Sequence, residues 1–149
     1  MMGLKRVAMN ERGSAITEFI VVAVLILMPM AYIVMSVMRV QAATLASTQA
    51  AREAGRAFTQ SANLPAAFSA ATMAAELAFG DQGFDLPPDA LAISCPTGGC
   101  LTPGSTAVVD ITWSVPLPWL PAGLSERSAA AIPMHVRHVA PVDFYRVNS

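Results

Sequence analysis

Twenty consecutive residues without a charge, Phe19 to Met38 (FIVVAVLILMPMAYIVMSVM), constrain this chain more than any other feature. A bilayer core is about 30 Å thick and takes about 20 apolar residues in a helix, so the run is long enough to cross one. The apolar region of a cleaved secretory signal is usually only about 7–15 residues. No small-x-small cleavage site follows either, because Met38-Arg39-Val40-Gln41 intervenes before the alanines begin. The run therefore reads as a retained transmembrane helix. Pro29 lies inside it, where it removes one backbone hydrogen bond and predicts a bend; spanning helices tolerate this.

Charge is divided around that run. Lys5, Arg6 and Arg12 against Glu11 leave residues 1–13 at +2, and six arginines against nine carboxylates leave the remainder at −3, giving the net −1. Positive charge before a span predicts a cytoplasmic N-terminus and a C-terminal part on the far side. The far part is acidic, which argues against nucleic-acid binding, since that needs a basic stripe. With 149 residues in all, there is room for the anchor and one modest domain.

Glu18 is out of place at the head of the apolar run, between Ile16-Thr17 and Phe19-Ile20. A carboxylate at the centre of a spanning helix costs roughly 2.5–3.5 kcal/mol on insertion scales, and less near the interface. On one reading it marks the interface and reaches into the headgroups. On the other, its place matters: it is fifth counting from Ser14, directly after Gly13, behind a short basic leader. That arrangement resembles the type IV prepilin pattern.

Beyond the run, Val40 to Phe58 (VQAATLASTQAAREAGRAF) contains good helix formers and no proline. Ala43, Ala46, Ala50, Ala54 and Ala57 recur at three- and four-residue intervals and form a ridge of small side chains that lets another element approach. Gly55 costs about 1 kcal/mol in a helix interior, which close packing could offset. Arg52, Glu53 and Arg56 form a solvated face.

The span RGSAITEF, the apolar run and AREAGRAF, together with the strand–turn–strand stretch from Trp113 to Arg137, resemble TadE-like proteins, the minor pseudopilins of tight-adherence (Flp) pilus systems. The resemblance implies cleavage by a prepilin peptidase between Gly13 and Ser14. Ser14 would become the new amino terminus, and Glu18 would accept the amine of a neighbouring subunit or its own. It implies membrane lipid, the peptidase, other pilins and the pilus assembly platform as partners. It places the protein in a bacterial inner membrane, single-pass, or in the pilus itself.

Thr59 to Asn63 reads as a turn, and Pro65 to Phe79 as a second helix, with Phe68, Ala71, Ala75 and Phe79 on one face and Gly80 just past its end. Asp81, Asp85 and Asp89 lie in a connector without calcium-loop spacing. The last third reads as β. Leu91-Ala92-Ile93 forms a short strand; Ala107, Val109, Ile111, Trp113 and Val115 alternate with more polar neighbours in a second; Ile132, Met134 and Val136 alternate in a third. Three antiparallel strands with one apolar face need a cover, and the alanine ridge can supply it.

Cys95 and Cys100 bracket Pro96 and Gly98-Gly99. On the oxidising side of a membrane, they predict a local disulfide, with on the order of 2 kcal/mol of stabilisation for so short a loop. A zinc pair is the alternative, but no second pair of ligands stands nearby. His135 and His138 are three apart in a strand and point to opposite faces, so they cannot share a metal. The serine of Gly123-Leu124-Ser125-Glu126-Arg127 lacks the second glycine of a nucleophile elbow. Leu117, Trp119 and Leu120 are unusually apolar for a connection, and they either tuck under the sheet or form a partner patch.

The expectation is an α+β protein with a leader over 1–13, a transmembrane and extended helix over 14–60, and a pilin-like exported domain over 61–149. It uses no cofactor or metal and is not an enzyme. An uncleaved single-pass protein with an extracytoplasmic interaction domain is the alternative.

Overall fold

A computed structural model describes residues 12–96, 98–117 and 131–145 of the chain. Two helices, α1 (Arg12–Gln60) and α2 (Leu64–Gly80), precede three strands, β1 (Leu91–Ser94), β2 (Thr106–Pro116) and β3 (Ala131–Pro141). The strands form one antiparallel sheet in the order β1-β2-β3. The fold is α+β. It divides into two compact units, Met1–Val37 and Met38–Ser149. Residues 38–60, which composition groups with the anchor, therefore belong to the second unit.

In the first unit the described residues are α1 alone, helical on both sides of Pro29. Its side chains are exposed, Phe19 at 72%, Leu25 at 68% and Met28 at 72%. No residue of the most apolar 18-residue window is buried among the described residues, and α1 is by length and composition apolar enough to cross a membrane. Ser36 Oγ donates to the Tyr32 carbonyl at 2.8 Å, which satisfies one of the few polar side chains in the run.

The second unit is built on the ridge of small residues. Ala43, Ala46, Ala50 and Ala54 are fully buried, as expected. Ala57 is only half-buried; Ser47, Ala51 and Phe58 complete the stripe instead. The reason is the 3.6-residue helical repeat, which carries a buried stripe through 43, 47, 50, 54 and 58 and turns 57 to its flank. Arg52, Glu53 and Arg56 face solvent.

The sheet's inner face is Ala107, Val109, Ile111, Trp113 and Val115 of β2, opposite Ala140, His138, Val136, Met134 and Ile132 of β3. At Gly55 the helix packs tightly against this face. A Cβ built there would lie 3.0 Å from Ala140 Cβ, 3.2 Å from His138 Cδ2 and 3.5 Å from Val109 Cγ2. Overpacking a core costs about 1–3 kcal/mol. Gly55→Val is therefore expected to cost about 2–3 kcal/mol, and Gly55→Ala less, because about 1 kcal/mol of helix propensity returns. Thermal unfolding of the detergent-solubilised full chain measures both, and an unaltered midpoint for the valine variant would refute the close approach.

α2 begins at an Asn63 cap, whose Oδ1 accepts the Ala66 N–H at 3.0 Å, with Pro65 in the first turn. Its buried face is Ala67, Ala71, Ala75, Ala78 and Phe79. Phe68 is 45% exposed, in a T-shaped contact with Phe58 at 5.2 Å between ring centres, and Ala67 takes the place expected of it. Gly80 remains helical. The left-handed residue is Gly83 (φ 72°), and Phe84 N–H to Phe79 O and Gly83 N–H to Gly80 O close the helix in a Schellman arrangement.

The ladder also explains two prolines. Val142 N–H donates to Ser105 O at 2.9 Å, in the β2–β3 register. Backbone groups alternate in direction along a strand, so the odd-numbered residues of β3 aim theirs away from β2. Pro133 and Pro141 are both odd and remove no ladder donor. Among the described residues no strand pairs with that far edge, and proline on an edge discourages unwanted pairing.

Candidate functional site

The residues proposed for processing lie at the start of α1. Arg12, Gly13 and Ser14 belong to its first turn, with side chains outside the described residues. One turn further on, Glu18 is exposed. From Phe19 to Met38 the helix carries no charge. A surface so apolar is unfavourable in water at roughly 25 cal/mol per Å² and marks a lipid or protein contact. A lone carboxylate at the head of such a surface can be hydrated at an interface or paired with a cation across a helix contact.

The other predicted residues lie in the second unit and do not converge. Cys95 and Cys100 are joined in a disulfide with Cα atoms 5.1 Å apart, closing the loop that follows β1. Leu117 is half-buried at the end of β2, while Trp119 and Leu120 lie outside the described residues. Asp81, Asp85 and Asp89 are each exposed. Among the described residues no three His, Cys, Asp or Glu side chains are grouped as a metal site would require.

The contacts that hold the second unit together were not read from the sequence. Trp113 Nε1 donates to Ser47 Oγ at 2.8 Å, and that hydroxyl donates on to the Ala43 carbonyl at 2.8 Å. A buried indole N–H needs such a partner, and here it ties β2 to α1. Phe79 and Phe84 meet Trp113 edge-on at 4.9 and 5.2 Å. Arg39 stacks on the outside of this cluster, its guanidinium carbon 4.5 Å from the Phe84 ring centre.

On the opposite face of the sheet, Arg137 Nε donates to Asp110 Oδ1 at 2.7 Å and Nη2 to Oδ2 at 3.3 Å, directly across the β2–β3 ladder. His135 Nε2 lies 3.3 Å from the same carboxylate. The matching parity of Asp110 and Arg137 was visible in the sequence, but their register was not. The Arg137 hydrogen bond, opposed by partial burial and helped by the charges of Arg137 and His135, holds the Asp110 carboxyl below its usual range. The same bond raises the Arg137 guanidinium. A depressed carboxylate stabilises the fold above its unfolded pKa, about 3.9, and that contribution is lost as pH falls through the folded value. Acid titration of stability is expected to be steeper below about pH 4 in the wild type than in Asp110→Asn. Equal slopes would remove the pair from the acid response.

The fold and the exposed run define the class: an α+β protein with, among the described residues, one helix long and apolar enough to cross a membrane. Compared with protein-family models, characterised proteins and solved structures, the chain finds no significant match in any of the three.

Proposed function

We propose that this chain is a structural subunit, a TadE-like minor pilin of a tight-adherence (Flp) pilus or related secretion machine, matured by prepilin-peptidase cleavage between Gly13 and Ser14. One observation carries the reading. α1 presents an exposed carboxylate, Glu18, at the head of twenty uncharged residues whose side chains find no cover among the described residues. In lipid, a carboxylate among packed helices needs a cation. Cleavage would create one, the Ser14 amine, four residues and about 6 Å up the helix axis. Without the cut that amine does not exist, so processing acts as an assembly switch. The basic leader would stay in the cytoplasm and the second unit would lie across the inner membrane. There the helix-on-sheet plan would be pilin-like.

The experiment is an intact-mass measurement on protein extracted from membranes of cells with an active prepilin peptidase. The expected N-terminus is Ser14; a retained leader overturns the processed reading. The alternative, an uncleaved single-pass protein with an extracytoplasmic interaction domain, is favoured by one detail. The Gly13–Ser14 bond lies in helical backbone, whereas peptide-binding sites often take an extended chain. The same mass spectrum separates the two.

A further inference from the structure

Arg39 is the first charge after Glu18, one residue beyond the uncharged run. A guanidinium has two different surfaces, flat faces that stack on aromatic rings and a rim of five N–H donors that fits phosphate oxygens two at a time. Stacking on Phe84 at 4.5 Å occupies a face and leaves the rim open. Arg39 is half-buried, and among the described residues the ion pairs involve Asp110 and leave it without a carboxylate. Phe84 is itself held edge-on against Trp113, whose indole is bonded to Ser47. The guanidinium is thus oriented before any ligand arrives, which reduces the ordering cost of binding.

Twenty uncharged residues match the thickness of a bilayer core, so the residue that follows them falls at the depth of the lipid phosphates. We propose that Arg39 is a headgroup anchor, its rim binding the phosphate of an anionic phospholipid while Phe84 holds its face. The proposal rests on Phe19–Met38 being a bilayer span and is independent of whether the leader is cut. A bound lipid would be fixed to the aromatic cluster that joins α1 to the sheet. Lipid composition would then be linked to the stability of the second unit.

The test uses the full chain in nanodiscs of equal phosphatidylcholine and phosphatidylglycerol, with retained lipids counted by native mass spectrometry after gentle extraction. The wild type is expected to retain phosphatidylglycerol about fivefold over phosphatidylcholine, the worth of one arginine at an anionic surface. Arg39→Gln should fall to parity. Phe84→Leu, which keeps the charge and removes the ring, should fall in the same direction. Thermal unfolding in phosphatidylcholine discs checks that both variants are folded. An unchanged preference in Arg39→Gln overturns the anchor, and an unchanged preference in Phe84→Leu overturns the oriented site. Inorganic phosphate that stabilises lipid-free protein in detergent as phosphatidylglycerol does would also overturn it, by showing a free-anion site. Failure of the chain to enter nanodiscs overturns the span and the anchor together, whereas normal entry with an indifferent Arg39→Gln overturns the anchor alone.

Discussion

Trp113→Ala is expected to lower the stability of the second unit by about 3–5 kcal/mol, the usual loss for a large aromatic removed from a core. Trp113 is 8% exposed and serves three neighbours at once. Its loss leaves Phe79 and Phe84 without the ring they meet edge-on, and Ser47 Oγ without its donor. For a domain of this size, each kcal/mol shifts the unfolding midpoint by several degrees, so a fall of roughly 15–25 °C is expected by circular dichroism in detergent. A loss this large is comparable to the whole stability of many domains. Trp113→Phe separates the contributions. It keeps one aromatic ring while removing the N–H and the second ring of the indole, and should cost clearly less than the alanine change, about 1–3 kcal/mol. If the alanine variant lost no more than the phenylalanine variant, the aromatic cluster would not be the joint between helix and sheet.

Glu18→Ala is expected to move membrane insertion and assembly in opposite directions. Removing the carboxylate removes a cost of up to roughly 2.5–3.5 kcal/mol for a charge at the bilayer centre, so the anchor should insert as well as before or better. Assembly should fall at least tenfold, because the freed Ser14 amine would be left in a helix interface without its acceptor. Glu18→Gln, similar in shape but uncharged, should behave alike. The readouts are membrane fractionation for insertion and recovery of the subunit in sheared pili or cross-linked complexes for assembly. Wild-type assembly by both variants would show that no charge pair operates there. The apolar helix would then be an anchor only.

The parts of this fold that were legible in the sequence share a cause. The uncharged run, the β2 alternation and the alanine spacing are periodic patterns set by which face of an element meets water or lipid, and periodicity survives in one dimension. What was misread depended on a partner. Phe68 shares a side with Ala71 by spacing, yet it lies at the margin of the buried face and meets the Phe58 ring in a T-shaped contact instead. Gly80 has the composition of a helix terminator, but the left-handed turn falls at Gly83 because the Phe84 N–H there can reach the Phe79 carbonyl. The candidate site was readable only as far as Glu18 and its surroundings. Nothing local to Arg39 indicates that Phe84, in the connector between α2 and β1, will cover one of its faces.

From composition and period alone, the chain must have a helix long and apolar enough for a bilayer, an acidic residue at its head, and an amphipathic sheet that needs a cover. Those outcomes follow from the free energy of transferring side chains out of water, which each segment carries with it. The tertiary structure decided the rest. It set how closely Gly55 approaches Ala140, that Ser47 is the hydroxyl meeting the Trp113 indole, and that Asp110 faces Arg137. Each of those is a distance between segments far apart in the chain, and distances of that kind exist only once helix and strands have packed in a single register.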